Sequence, residues 1–113
     1  MSKERYELPW YIRQYVKAEL MEYQANKKRW KDIKDSRVVL LIQKRLESIE
    51  KVLESLSEEE RREAELIFFK RYSKEKAELE GISKHAYYNL MNKVIYMTAQ
   101  ELEIIWKGKI WEL

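Results

Sequence analysis

Residues 73–96 read SKEKAELEGISKHAYYNLMNKVIY, and the arrangement of the whole chain follows from them. Ser73 suits the N-cap of a short helix. Gly81-Ile82-Ser83 then breaks the pattern before a second helix that Ser83 can cap. A serine oxygen at an N-cap satisfies one of the amides that a helix start leaves unpaired. Gly81 tolerates the left-handed backbone common at a helix C-terminus. Beyond Ser83, Ala86, Tyr87, Leu90, Met91, Val94 and Ile95 recur three or four apart, which predicts one apolar face. The other face carries Lys84, His85, Tyr88, Asn89, Asn92 and Lys93, and no acid occurs from Gly81 to Gln100. A hydrogen-bonding, neutral-to-cationic face on a helix that follows a glycine-containing turn suits the major groove of DNA. An ordinary helical hairpin with a polar solvent face has the same pattern, and this stretch alone divides evenly between the two.

Working outward, Ser57-Glu58-Glu59-Glu60 is a capping box. It predicts a helix from Glu58 to about Arg71 that buries Ala64, Ile67, Phe68 and Tyr72, with Leu66 and Phe69 at the margins. Before it, Arg37 to Leu56 has a wide apolar face: Val38, Leu41, Ile42, Leu46, Ile49, Val52, Leu53 and Leu56. Pro9 suits the first turn of another helix. Its stripe runs through Ile12, Tyr15, Val16, Leu20, Tyr23 and Trp30. Rings at Trp10, Tyr11, Tyr15, Tyr23 and Trp30 can mark a partner surface, but filling a small core is the favoured reading. A short connection at Asp35-Ser36 predicts an antiparallel hairpin over 9–56. Downstream, the helical pattern continues through Leu102, Ile105 and Trp106 until Gly108. The tail Lys109-Ile110-Trp111-Glu112-Leu113 is apolar enough to dock on the body or on a second subunit.

The chain has 113 residues, a length that fits one domain with a modest core. Two glycines, one proline and an abundance of Glu, Lys, Leu and Arg predict an all-α fold. Residues 9–56 form the N-terminal portion and 57–107 the helix-turn-helix portion. Cysteine is absent, so disulfides and thiolate metal sites are excluded. The N-terminus lacks a signal-peptide core, and no apolar run is long enough to span a bilayer, so a cytoplasmic protein with no membrane partner is expected. The net charge is only +3, but residues 1–36 hold nine basic and six acidic side chains. The most basic window is Asn26 to Lys34, NKKRWKDIK. Lys27, Lys28 and Arg29 there can contact phosphate, although basic residues at a solvated helix C-terminus are the commoner case. A single histidine, no cysteine, no serine elbow and no glycine-rich phosphate loop argue against an enzyme. Neither a metal nor a cofactor is expected.

Leu56 through Phe69, then a capped short helix, then Gly81-Ile82-Ser83, resemble the fourth region of sigma-70-type factors. The span from about residue 10 to 105 resembles the small phage late transcription activators of the RinA and ArpU type. The likeness rests on the aromatic Ile12–Leu20 helix, on Leu46–Leu53 (LESIEKVL), and on the sigma-like helix-turn-helix. It implies a phage or prophage transcriptional regulator that binds double-stranded DNA and contacts RNA polymerase. It also implies that Ser83, Lys84, His85, Tyr88, Asn89, Asn92 and Lys93 face DNA, and that Ala77, Ile82, Tyr87, Leu90 and Met91 hold the two helices together. Lys93 and the Lys27–Arg29 cluster would bind phosphate. A homodimer would place its half-sites about 34–36 Å apart. The sequence departs from the family pattern at Lys76 and Glu80, where apolar residues are usual, and Leu79 sits one place early. That predicts a shifted or shortened first helix or a longer turn. The alternatives are a helical protein-interaction module that keeps a degenerate motif to hold polymerase or a sigma factor, and a terminase small-subunit-like protein.

Overall fold

The computed structural model describes residues 8–32, 34 and 36–102, and every regular element among them is helical. In order these are α1 (Trp10–Met21), α2 (Tyr23–Arg29) with a 3-10 turn at Trp30–Asp32, α3 (Ser36–Ser55), α4 (Glu58–Ala64), α5 (Lys74–Leu79) and α6 (Lys84–Glu101). Asp35 of the short Asp35-Ser36 connection and the segment through Ile105, Trp106 and Gly108 to Ile110-Trp111 lie outside the described residues.

The starts of α4, α5 and α6 follow from three serines. Ser57, Ser73 and Ser83 each accept a hydrogen bond from the amide three residues on, at 3.1 Å, 3.2 Å and 3.1 Å. Only the first is a reciprocal box: the Ser57 amide donates to Glu60 Oε1 at 3.2 Å. The end of α5 is equally local. Gly81 sits at φ 86°, its amide donates to the Glu78 carbonyl, and the Ile82 amide donates to the Ala77 carbonyl, both at 3.0 Å. Those two bonds make a Schellman motif, and Ala77 and Ile82 are both buried, as its apolar contact requires.

The core gathers around α6, which packs on α1, α3, α4 and α5. Val94, Ile95, Thr98 and Ala99 of α6 are fully enclosed, with Val16 and Leu20 of α1, Ile49 and Val52 of α3, and Ala64 of α4. Four expectations are corrected. The first long helix is interrupted at Glu22, so that α1 and α2 are separate elements. Just past that break Tyr23 turns inward, stacks on Phe69 at 5.2 Å and donates to Glu50 Oε1 at 2.9 Å. The helix begun by the capping box finishes in a π turn, Glu65–Phe69, rather than running to Arg71. That wider turn presents Leu66, Ile67 and Phe68 to the interior together, which the α period had left with Leu66 at the margin. Arg71 then takes a left-handed φ of 56° and sends the chain back towards α5.

The third correction concerns α3. Its 20 residues span about 30 Å, and the core covers only the half from Leu46 onward. Val38 and Leu41, expected inside, are exposed, as is Leu40 at 70%. The fourth is the aromatic stripe: Tyr23 fills the core and Trp30 packs against it, but Trp10, Tyr11 and Tyr15 are exposed. Ile95→Ala should therefore destabilise the fold by about 2–5 kcal/mol in urea denaturation, because its site is enclosed. Leu40→Ala should change stability by no more than about 0.5 kcal/mol.

Candidate nucleic-acid interface

The turn and caps just described decide which part of α6 is free. Tyr87, Leu90 and Met91 point inward, with Ala77 and Ile82, and together they hold α5 against α6. Tyr87 is fixed further by its hydroxyl, which donates to the Tyr72 carbonyl at 2.8 Å. Burial raises its pKa, so it stays a donor at all ordinary pH. Ser83, Lys84, His85, Tyr88 and Asn89 are all exposed on the opposite side. Tyr88 stands edge-on to Tyr87 at 5.3 Å, which braces its ring at the surface. No acid lies in the first turn of α6. The ridge is thus short, cationic at Lys84 and rich in hydrogen-bonding groups.

One turn further the helix is more covered: Val94, Ile95, Thr98 and Ala99 are buried, while Asn92, Lys93, Tyr96 and Met97 are half-buried. Asn92 Oδ1 is buried without a hydrogen-bond partner, so that oxygen is not presented at the surface. Lys93 is turned back towards α4, and its Nζ meets Glu60 Oε2 at 2.9 Å. Glu60 therefore has two duties: one oxygen completes the capping box and the other anchors α6. The capping role was visible in the sequence as Ser-x-x-Glu. The second role joins residues 33 apart and left no local signal.

Lys27, Lys28 and Arg29 lie on a different element, the last turn of α2, which packs on α3. Lys27 Nζ is 3.6 Å from Glu50 Oε1, donates to Tyr23 Oη at 3.5 Å and sits over the Tyr23 ring. Lys28 and Arg29 are exposed at a helix C-terminus, where cations complement the carbonyl dipoles. Leu79 is 88% exposed, and α5 is only six residues long. Ala77 is its one buried residue, and Lys76 and Glu80 are exposed.

Among the described residues there is no cluster of three or more His, Cys, Asp or Glu suited to a metal. Nor, among them, is any helix long and apolar enough to cross a membrane. The Lys93 hydrogen bond, with the Ser57 amide, holds the Glu60 carboxyl below its ordinary value of 4.5. A carboxyl whose folded pKa is depressed adds stability above its unfolded pKa and loses it as pH falls through the folded value. The denaturation midpoint should therefore drop as pH is taken from 7 to well below 4.5. Glu60→Gln should have the lower midpoint at pH 7 and a shallower drop. Superposable pH profiles for the two proteins would show that the anchor carries no stability. Compared with protein-family models, with curated proteins and with solved structures, the chain matches none.

Proposed function

We propose that this protein is a DNA-binding transcriptional regulator of phage or prophage type that inserts the start of α6 into a major groove. The observation that carries the proposal is the exposed, acid-free ridge of Ser83, Lys84, His85, Tyr88 and Asn89, held rigid from behind by Tyr87, Leu90 and Met91. In this reading α5, the Gly81 turn and α6 form a helix-turn-helix like that of sigma region 4. Asn89 offers the bidentate amide that pairs with adenine, and Lys84 the ammonium that pairs with guanine or a neighbouring phosphate. Ser83 and His85 supply further hydrogen bonds, and Tyr88 apolar contact. Asn92 and Lys93 take supporting places behind this surface, and Lys28 and Arg29 add attraction for phosphate from a separate element. Contact with RNA polymerase and pairing of two copies on DNA belong to the same reading.

Retention of the protein by a random-sequence duplex pool at low salt tests it. Affinity should fall steeply as salt rises, since released counterions drive phosphate contacts. Lys84→Ala and Asn89→Ala should each weaken binding by about 1–3 kcal/mol, and Lys84→Ala should lower the salt slope by about one if it meets phosphate. Lys93→Ala should lower stability and leave the salt slope alone, because Glu60 already holds that ammonium. Absence of any duplex retention at low salt would remove the proposal.

A further inference from the structure

A second surface, on elements that give no residue to the α6 ridge, has its own chemistry. α1 exposes Trp10, Tyr11 and Tyr15, with Trp10 at 75%, and the first half of α3 exposes Val38, Leu40 and Leu41. Tyr15 and Leu41 line one groove between the two helices, with Leu102 at its end. Tyr11 lies one turn before Tyr15 on α1, and Val38 one turn before Leu41 on α3, so the apolar surface extends beyond the groove. Large exposed apolar surfaces rimmed by polar groups mark contact sites rather than ordinary solvent faces.

Charge narrows the occupant. Neither 9–18 nor 36–46 contains an acid, while Arg13, Lys17, Lys44 and Arg45 lie in those stretches. Lys44, Arg45 and Glu101 are the charged groups that line the groove. Arg45 Nη1 lies 3.0 Å from Glu19 Oε1 and Glu101 Oε2 lies 3.5 Å from Lys51 Nζ, so those two are each matched and Lys44 leaves the groove with a net positive charge. A second copy docking by the same face would set this cationic surface against itself, which two-fold symmetry makes unavoidable and like charges oppose. A lipid bilayer would be met by a flat or convex apolar surface, whereas Tyr15, Leu41 and Leu102 enclose a groove between helices. A groove of that kind accepts the ridge of another helix.

We propose that the α1–α3 groove docks an acidic amphipathic helix of a partner protein. Its aliphatic side chains, spaced three and four apart, seat on Tyr15, Leu41 and Leu102, and its carboxylates face Lys44 and Arg45. Tyr11 and Val38, one turn away on the same faces, extend the contact. The proposal is independent of DNA binding by α6, and either can fail without the other.

The test uses the full chain and a synthetic helix of about 20 residues with leucine on one face and glutamate on the other. A scrambled-order peptide, a leucine–lysine counterpart and phosphatidylglycerol vesicles are the controls. The leucine–glutamate helix should bind saturably and shift backbone amide resonances of α1 and of the first half of α3. Leu41→Glu should weaken it at least about tenfold, Lys44→Glu should weaken it, and Lys84→Ala should leave it unchanged. Leu41 and Lys44 are exposed, so these variants keep the fold, which circular dichroism checks. Four outcomes overturn the proposal: no saturation by about 1 mM peptide, where affinity would be worth only about 4 kcal/mol; equal binding of either control peptide; binding of vesicles but not of peptide; and self-association abolished by Leu41→Glu, which would give the face to a second copy.

Discussion

Burial of Val94, Ile95, Thr98 and Ala99 in the middle of the bundle is the constraint on which the rest of the structure depends. α1, α3, α4 and α5 all pack on α6, and its Val94, Ile95 and Ala99 lie in the one core that the described residues share. The opposite face there, Asn92, Lys93, Tyr96 and Met97, is half-buried. Between Lys84 and Ala99 the exposed positions are confined to the overhang, the first turns before that packing begins. The three serine caps and the Gly81 turn matter because they fix where the overhang starts. The Lys93–Glu60 pair matters because it ties the point where that packing begins to the N-terminus of α4. About a third of each of those two side chains remains in water, so the pair is worth at most about 1 kcal/mol. Its importance is in position rather than in total stability.

What the sequence revealed depended on the distance over which each cause acts. The caps at Ser57, Ser73 and Ser83 and the left-handed Gly81 are set by groups within five residues, and each was readable. The inward face of α6 followed from helical spacing, whereas the inward places of Ala77 and Ile82 were expected only from the resemblance. Failures occurred where a local period was overridden. Leu66 is buried because a π turn widens the helix, and an α-helical wheel has no place for three consecutive interior residues. Val38 and Leu41 are apolar and in register with a buried face, yet α3 outruns the core that would cover them. Tyr15 fails differently, since Ile12 before it packs on the core and Val16 after it is enclosed: it lies at the edge of the covered face rather than past its end. The spacing rule identifies a face and says nothing of how far along the helix its cover reaches. At the ridge, exposure of Ser83 to Asn89 agreed with the helical wheel. The half-burial of Asn92 and Lys93 required knowing that other helices pack on the next turn.

The two surfaces left open by this packing differ in kind. The ridge on α6 is hydrogen-bonding and almost without aliphatic groups, with Tyr88 as its single large ring. The α1–α3 surface is aromatic and aliphatic with a cationic margin. Polar groups in a groove gain by pairing with base edges and phosphates, while burial of rings and leucines gains by excluding water. The same partner cannot satisfy both well. The stretches 9–18, 36–46 and 81–100 hold no acid, a condition that both proposals share.

The size of the ridge further limits how a duplex could be engaged. Ser83 to Asn89 covers about 10 Å along the helix axis, less than the roughly 12 Å width of a major groove. A helix lying lengthwise in the groove would also use the face at Asn92, Lys93 and Tyr96, which is half-buried and whose lysine is held by Glu60. Entry with the N-terminal residues of α6 leading is therefore favoured under the proposed reading. In that pose the residues with the greatest reach are Lys84, His85 and Asn89. Leu79 and Glu80, just before the turn, are also exposed. A carboxylate opposes phosphate, so under the proposed reading any pose that brings Glu80 against a strand is disfavoured.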